Sequence, residues 1–277
     1  MNNSTEITER AYAKINLFLD VTGKRSDGYH NIKTVMHSIP LFDTVTVKPT
    51  ENISMECTDK TLSCGGDNLC IKAAKLFFEE SGISGGCHIL LDKKIPMQAG
   101  LGGGSSDAAA VLRALNAMYD RPFADGQLKK ISVTLGADVP FCINGGSSLA
   151  EGIGEILSDY YSLPSCYIVI SRGIGQVSTP QAYKLIDSTP TSVKQDFAKF
   201  DSAMKSGDLK DICSSLYNRF EDTLPSCLEV KKSMTDNGAA GTLLSGSGSA
   251  VFGLFDGEEK AKIALDNVIG AMFMGKL

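Results

Sequence analysis

Pro96 to Asp107, reading Pro-Met-Gln-Ala-Gly-Leu-Gly-Gly-Gly-Ser-Ser-Asp, constrains this chain more than any other stretch. Before it lies His88-Ile-Leu-Leu-Asp92, short, apolar and strand-like. After it Ala108, Val111, Leu112, Leu115 and Met118 recur at three- and four-residue steps, as on one face of a helix. The order is therefore strand, glycine loop, helix, with Ser105, Ser106 and Asp107 as candidate N-caps. A loop carrying Gly100, Gly102, Gly103 and Gly104 lets a bulky anion approach the backbone. The unpaired amides of a first helical turn, with the positive end of its dipole, favour phosphate. Two familiar phosphate loops do not fit. The P-loop needs Lys after its last Gly, and here Gly104 is followed by Ser105. The dinucleotide fingerprint needs a third Gly where this chain has Ser105 or Asp107.

A chain of 277 residues, 43% hydrophobic and 21% charged, is an ordinary globular composition. Net charge is −5 and no basic run exceeds a pair such as Lys93-Lys94, which argues against a nucleic-acid partner. The first ten residues have no apolar core of a signal peptide, and no stretch approaches the ~20 apolar residues of a membrane span. A cytoplasmic protein with no membrane partner is expected. The eight cysteines form no Cys-x-x-Cys pair and most sit among apolar neighbours, as reduced core thiols do. The three histidines lack metal-ligand spacing, so no protein metal site is expected.

Ala11 to Leu19 reads as a strand, with Ala11, Ala13, Ile15, Leu17 and Leu19 on one face. The other face carries Lys14 and Asn16 between Tyr12 and Phe18. A Lys held there needs an anionic partner or ligand, or else snorkels from an edge strand. Asp27-Gly28 signals a turn, followed by a mixed stretch to Ser38 and a β-rich run over Leu41 to Val47. Tyr29-His30 beside that turn can stack on a flat heterocycle or simply anchor the loop. Glu51 to Gly66 is polar and broken, a hairpin or excursion. Asp67-Asn68 then caps a helix through Leu69, Ala73, Leu76 and Phe77 to Ser81-Gly82. A second helix is expected over Asp125 to Leu135. Leu135-Gly-Ala-Asp-Val-Pro follows, with Asp138 either a turn ligand or a poised carboxylate, and with Pro140 disfavouring helix at Val139. Gly145 to Glu155 reads as a strand and glycine turn.

A boundary falls near 158, dividing the chain into 1–158 and 159–277. Beyond it the pattern is a strand at Cys166 to Ser171, helices at Pro180–Leu185, Val193–Lys205, Leu209–Phe220 and Leu228–Asn237, then strand, Gly-x-Gly turn and strand over Gly241 to Phe255. Glu258 to Met272 is expected as a closing helix.

The loop Pro96-Met97-Gln98-Ala99-Gly100-Leu101-Gly102-Gly103-Gly104-Ser105-Ser106 resembles the phosphate motif of the GHMP kinases. Its wording is similar to one branch, the kinases of 4-diphosphocytidyl-2-C-methyl-D-erythritol in non-mevalonate isoprenoid synthesis. The resemblance spans essentially the whole chain. It implies an α/β (α+β) fold of two lobes, an N-terminal ATP-binding lobe and a C-terminal lobe with the active site in the cleft between them. It implies ATP and Mg²⁺ as cofactors, with the loop holding ATP and with Asn68 and Lys93 bordering the adenine. Lys14 and Asp138 correspond to the catalytic pair. Asn16 corresponds to a residue beside the methylerythritol hydroxyls, Tyr29 to an aromatic stacked on cytosine, and His30 to a contact with its edge. Thr179-Pro180 precedes Tyr183, which would cover the base from the other side. The implied partner is a small molecule bearing cytidine diphosphate, bound by a monomer or weak homodimer. Gly246-Ser-Gly248 resembles the third motif of the superfamily, with Ser249 where Pro is frequent. Asp107 stands where the general motif has Ala, and so close to phosphate it is expected to face the helix cap or solvent. Alternatives are a GHMP kinase of homoserine, mevalonate or a sugar, and a nucleotide-sensing relative without catalysis.

Overall fold

The computed structural model describes residues 6–173, 178–189 and 196–277. The described residues open with two long strands, β1 (Ile7–Lys24) and β2 (His30–Thr50), joined by the turn at Asp27-Gly28, where Gly28 takes φ +88°. β1 is buried on both faces from Ala13 to Phe18, which is why it carries Lys14 and Asn16 inside the protein. β2 absorbs both the mixed stretch after His30 and the β-branched run after Leu41, so a single strand replaces two segments. β3 (Ser54–Cys57) runs parallel to β4 (Gly86–Asp92), and β4 pairs antiparallel with the later half of β2. β5 (Ser147–Glu151) pairs with the earlier half of β2 and with β6 (Ile156–Asp159).

The described residues pack as two compact units assembled from separated segments. One takes the chain up to Ala13, Leu41–Met97 and Gly102–Gly145. It holds α1 (Leu69–Ser81), α2 (Gly103–Met118), α3 (Asp125–Ser132) and α4 (Val139–Asn144), with α2 packed against α1 and α4. α1 begins where Asn68 accepts the amide of Cys70 and ends at Gly82 with φ +67°, both as the sequence predicts. Both helices of this packed pair bury apolar residues, Ala73, Ala74 and Phe77 on α1 and Ala108 to Leu112 on α2. The second expected helix stops earlier, at Ser132, and tightens into a 3₁₀ turn over Val133–Leu135.

The other unit takes Lys14–Pro40, Gln98–Leu101 and the chain from Gly146. Its four-stranded sheet runs in the order β11 (Ala271–Lys276), β7 (Tyr167–Ser171), β10 (Val251–Phe255), β9 (Gly241–Leu244). Around it lie α5 (Thr179–Ser188), α6 (Phe197–Ser206), α7 (Leu209–Ser215), α8 (Cys227–Asp236) and α9 (Glu258–Asn267). Val169, Phe220, Val230, Met234, Val251, Phe255 and Ala264 form its core.

Two expectations are corrected here. The helix predicted over Leu209 to Phe220 ends at Ser215, and Tyr217–Asn218 becomes a short strand, β8, parallel to β1. The cause is Asn218, whose amide donates to the carbonyls of Leu244 and Gly246 while its oxygen accepts the amide of Phe220. The closing helix likewise ends at Asn267, and Gly270 with φ +65° turns the chain into β11 at the sheet edge beside β7. The start of the helix expected at Val193 lies outside the described residues. Among the described residues no helix is long and apolar enough to cross a membrane.

Candidate active site

The glycine loop leads into α2, but none of the predicted side chains caps it. Gly102, at φ +69°, is the N-cap, and no side chain bonds the first turn from that position. The first intrahelical bond runs from the amide of Ser106 to the carbonyl of Gly102. The amides of Gly103, Gly104 and Ser105 therefore precede the hydrogen-bonded ladder. Ser106 spends its hydroxyl on the carbonyl of Tyr12, 2.7 Å away, which ties the first turn of α2 to β1.

The glycines serve different ends. A Cβ on Gly100, which has φ +77°, would lie 2.0 Å from the carbonyl oxygen of Ser245. Two backbones meet there, fastened by the Ser245 hydroxyl on the Gly100 carbonyl and by the Ala250 amide on the Ala99 carbonyl. A Cβ on Gly103 would press on the Lys93 ammonium at 2.9 Å and on Ile95. A Cβ on Gly104 would meet only a methyl of Leu69, at an ordinary 3.6 Å. Packing explains the first two glycines. Only the third is left for a ligand to explain.

Beneath the loop sits a buried charge cluster that sequence reasoning did not find. Asp43, fully buried, accepts the amides of Lys94 and Ile95 on one oxygen and the Lys93 ammonium on the other. The same ammonium reaches Asp107 Oδ2 at 2.8 Å. Asp107 is 2% exposed, so it faces neither solvent nor the helix cap. Burial opposes the charge on Lys93, but Asp107 and Asp43 outweigh it and hold the ammonium above its ordinary pKa. Burial pushes Asp107 upward, Lys93 pulls it back, and the charge of Asp43 pushes it up again. A lone acid inside the apolar strand Leu41-Phe-Asp-Thr-Val was the available signal. Asn68, expected at the adenine, spends its side chain on the Cys70 amide and the Ser63 carbonyl.

Asp138 stands at the head of α4 without capping it through its side chain. Val139 is nonetheless helical, because Pro140 falls in the first turn, where the missing N–H has no intrahelical role. At the far end of α4, Arg113 on α2 donates to the Cys142 carbonyl, and it also binds Glu9 and the Arg10 carbonyl.

In the other unit Lys14 is 4% exposed, which rules out snorkelling. Its ammonium donates to Asn16 Oδ1 at 2.7 Å, Asn16 Nδ2 to the Thr34 hydroxyl at 2.8 Å, and that hydroxyl to the Phe18 carbonyl at 2.7 Å. The direction of every bond is set by chemistry. Lysine only donates, so the amide oxygen faces it, the amide NH₂ faces Thr34, and the single hydroxyl proton goes to the carbonyl. The Lys14 amide binds the Leu101 carbonyl, and a Cβ on Gly246 would lie 3.4 Å from the Lys14 ammonium. The loop thus meets this strand at the backbone of Lys14, and the late Gly-x-Gly approaches its ammonium.

His30 and Tyr183 come together, their rings stacked at 4.7 Å and 17°. Tyr183 is backed edge-on by Phe220, and Thr179 meets the Ser247 hydroxyl at 3.1 Å. Tyr29, 61% exposed, presents its ring to solvent. Among the described residues no cluster of three His, Cys, Asp or Glu side chains could hold a metal.

These parts, a helix opened by glycine, a buried lysine on the first strand and a late glycine turn at its ammonium, define a phosphoryl-transfer fold of the GHMP kinase class. Sequence profiles agree: that of the GHMP kinases N terminal domain matches residues 68–146, and that of the GHMP kinases C terminal domain matches 192–273. The chain is 39% identical over 271 residues to the 4-diphosphocytidyl-2-C-methyl-D-erythritol kinase of Alkaliphilus metalliredigens (strain QYMF), covering 95% of this chain and 92% of that one. To the kinase of the same name from Desulfitobacterium hafniense (strain Y51) it is 42% identical, covering 91% and 88%. A crystal structure of 4-(cytidine 5'-diphospho)-2C-methyl-D-erythritol kinase superposes with a TM-score of 0.81 at 35% identity, over 98% of both chains. The chain belongs to the 4-diphosphocytidyl-2-C-methyl-D-erythritol kinase family.

Proposed function

We infer that this kinase transfers the γ-phosphoryl group of ATP to the 2-hydroxyl of 4-diphosphocytidyl-2-C-methyl-D-erythritol. The observation that carries the reading is Lys14, a buried ammonium aimed by Asn16 and Thr34 and approached by Gly246 of the late glycine turn. Transfer of this kind depends mainly on positioning and charge stabilisation. The amides of Gly103 to Ser105 offer donors for the triphosphate. Asp138 takes the hydroxyl proton as the bond to phosphorus forms. Lys14 steadies the entering oxygen.

Mg²⁺ fits the loop on the chemistry of its donors. A hydroxyl oxygen at Ser105 suits a hard cation that keeps most of its waters, whereas the Asp107 carboxylate is already held by Lys93. The ion would neutralise charge on the phosphate oxygens.

His30 and Tyr183 favour a substrate with a base over mevalonate, homoserine or a sugar, which offer nothing to stack on an aromatic face. The test is ADP release with Mg-ATP and the cytidylyl substrate, against mevalonate and homoserine. Turnover confined to the cytidylyl substrate is expected. Turnover of either control, or binding of the cytidylyl compound without ADP release, overturns the reading.

A further inference from the structure

The end of β1 and the start of β2 meet α5 through one carboxylate. His30 Nε2 lies 2.8 Å from Asp187 Oδ1, and the other oxygen of that carboxylate binds the Lys24 ammonium at 2.6 Å. Asp187 follows Tyr183 by one helical turn on α5, so both side chains leave the same face of that helix. Tyr183 covers the plane of the imidazole while Asp187 holds its edge. The His30 side chain is 8% exposed, and Asp187 only partly covered, at 32%.

We propose that Asp187 is a positioning residue for His30, fixing the ring as its Nε2–H form and leaving Nδ1 as an acceptor for the exocyclic amine of cytosine. The claim deepens the reading that the substrate carries cytidine diphosphate and rests on it. An ionised carboxylate can only accept, so Nε2 must carry the proton. Hydrogen bonds from Lys24 and then from His30 hold the Asp187 carboxyl below its ordinary range, which keeps it an acceptor. In a neutral imidazole the remaining nitrogen then has a lone pair. Cytosine presents an NH₂ donor at its fourth position, where uracil presents a carbonyl oxygen. A ring fixed in this form selects the first and rejects the second.

Lys24 makes the test decisive. In Asp187→Asn the ammonium, which only donates, claims the amide oxygen and turns the NH₂ toward His30. Nε2 must then accept, and the proton moves to Nδ1. Nitrogen NMR of the full-length protein reads this directly, since there are three histidines to assign. The wild type is expected in the Nε2–H form and Asp187→Asn in the Nδ1–H form, with Asp187→Glu restoring the first. In steady-state assays Asp187→Asn should raise KM for the cytidylyl substrate about tenfold with kcat little changed, and narrow the preference over the uridylyl analogue. A wild-type ring in the Nδ1–H form, or an Asp187→Asn enzyme with unaltered base preference, overturns the proposal. Should the wild type turn over no cytidylyl substrate, the functional reading and the base assignment fail together, while the NMR result still decides whether Asp187 sets the proton.

Discussion

Lys93 Nζ lies 2.8 Å from Oδ2 of Asp107, with both side chains almost wholly out of solvent. The pair joins the end of β4 to the second turn of α2, the two elements that flank the glycine loop. Asp43 closes the cluster from β2 and pins the backbone at Lys94 and Ile95. A span of unusual conformations, from Gln98 to Gly102, is thus anchored at both ends by one ammonium.

Lys93→Met should therefore be severe. It leaves two carboxylates in a site without counter-charge, and breaking a buried pair in this way destabilises by about 3–5 kcal/mol. Asp107→Asn, which keeps the shape and removes one of two competing negative charges, should be much milder. Urea denaturation of the two variants checks the order; equal losses would remove the cluster from the account of stability.

Gln98 sits at φ +54°, in the left-handed region that side chains with a Cβ avoid. Gln98→Gly should relieve roughly 1 kcal/mol of backbone strain, an increase in melting temperature of a few degrees at most. A decrease would mean that the Gln98 side chain contributes more than its backbone costs.

Gly100→Ala and Gly104→Ala separate the two uses of glycine in the loop. The first drives a Cβ into the Ser245 carbonyl and should lower stability. The second has room, lies inside α2 and gains helix propensity of about 1 kcal/mol, so the protein should be as stable or more so while binding ATP less well. Thermal melts with and without nucleotide distinguish them. An undiminished ATP affinity in Gly104→Ala would remove that residue from the nucleotide site.

Thr34→Val deletes the hydroxyl that orients Asn16, leaving a buried amide donor without its acceptor at a cost of about 1–3 kcal/mol. The larger effect should be kinetic. With the amide no longer fixed, kcat should fall about tenfold or more while KM for ATP stays within roughly twofold, and Thr34→Ser should recover most of it. Unchanged kcat would show that Lys14 is aimed without Thr34. Asp138→Asn should lower turnover by about 10²–10⁴-fold with ATP affinity retained, as expected of a lost general base.

His37 contributes to the pH dependence of stability. Burial lowers its pKa to about 4, below the 6.5 of an exposed histidine. The unfolded chain takes up a proton as pH falls below 6.5, and the native state does so only near 4. The contribution is therefore complete above 6.5 and is lost at roughly 1.4 kcal/mol per pH unit between the two values. His37→Leu should flatten the stability profile between pH 6 and pH 4.5, as ~1 unit steps in urea titrations would show. A profile unchanged by the substitution would assign the acid sensitivity elsewhere.

What could be read in advance was whatever its own neighbours determine. Asn68 and Gly82 bracket α1 because a cap and a left-handed glycine are local signals, and the paired alternation of β1 exposed Lys14 and Asn16 as a buried polar face. What escaped depends on distant partners. Asn218 breaks a well-patterned helix because two carbonyls more than twenty residues away claim its amide. Asp43 meets Lys93 across fifty positions, and a lone acid in an apolar strand marks Asp43 without naming that partner. Asp187 was overlooked for a milder reason: it lies one turn beyond a residue already singled out.

The bare start of α2 has a thermodynamic side. A helix whose first turn opens on glycine, with no side chain closing it, stays incomplete until something negatively charged arrives. On the proposed reading, bound nucleotide would finish a piece of secondary structure that the polypeptide leaves open, and its affinity would become part of the folding free energy. At a hundredfold excess over Kd that linkage adds about 2.7 kcal/mol, so the enzyme is sturdiest where its phosphoryl donor is plentiful.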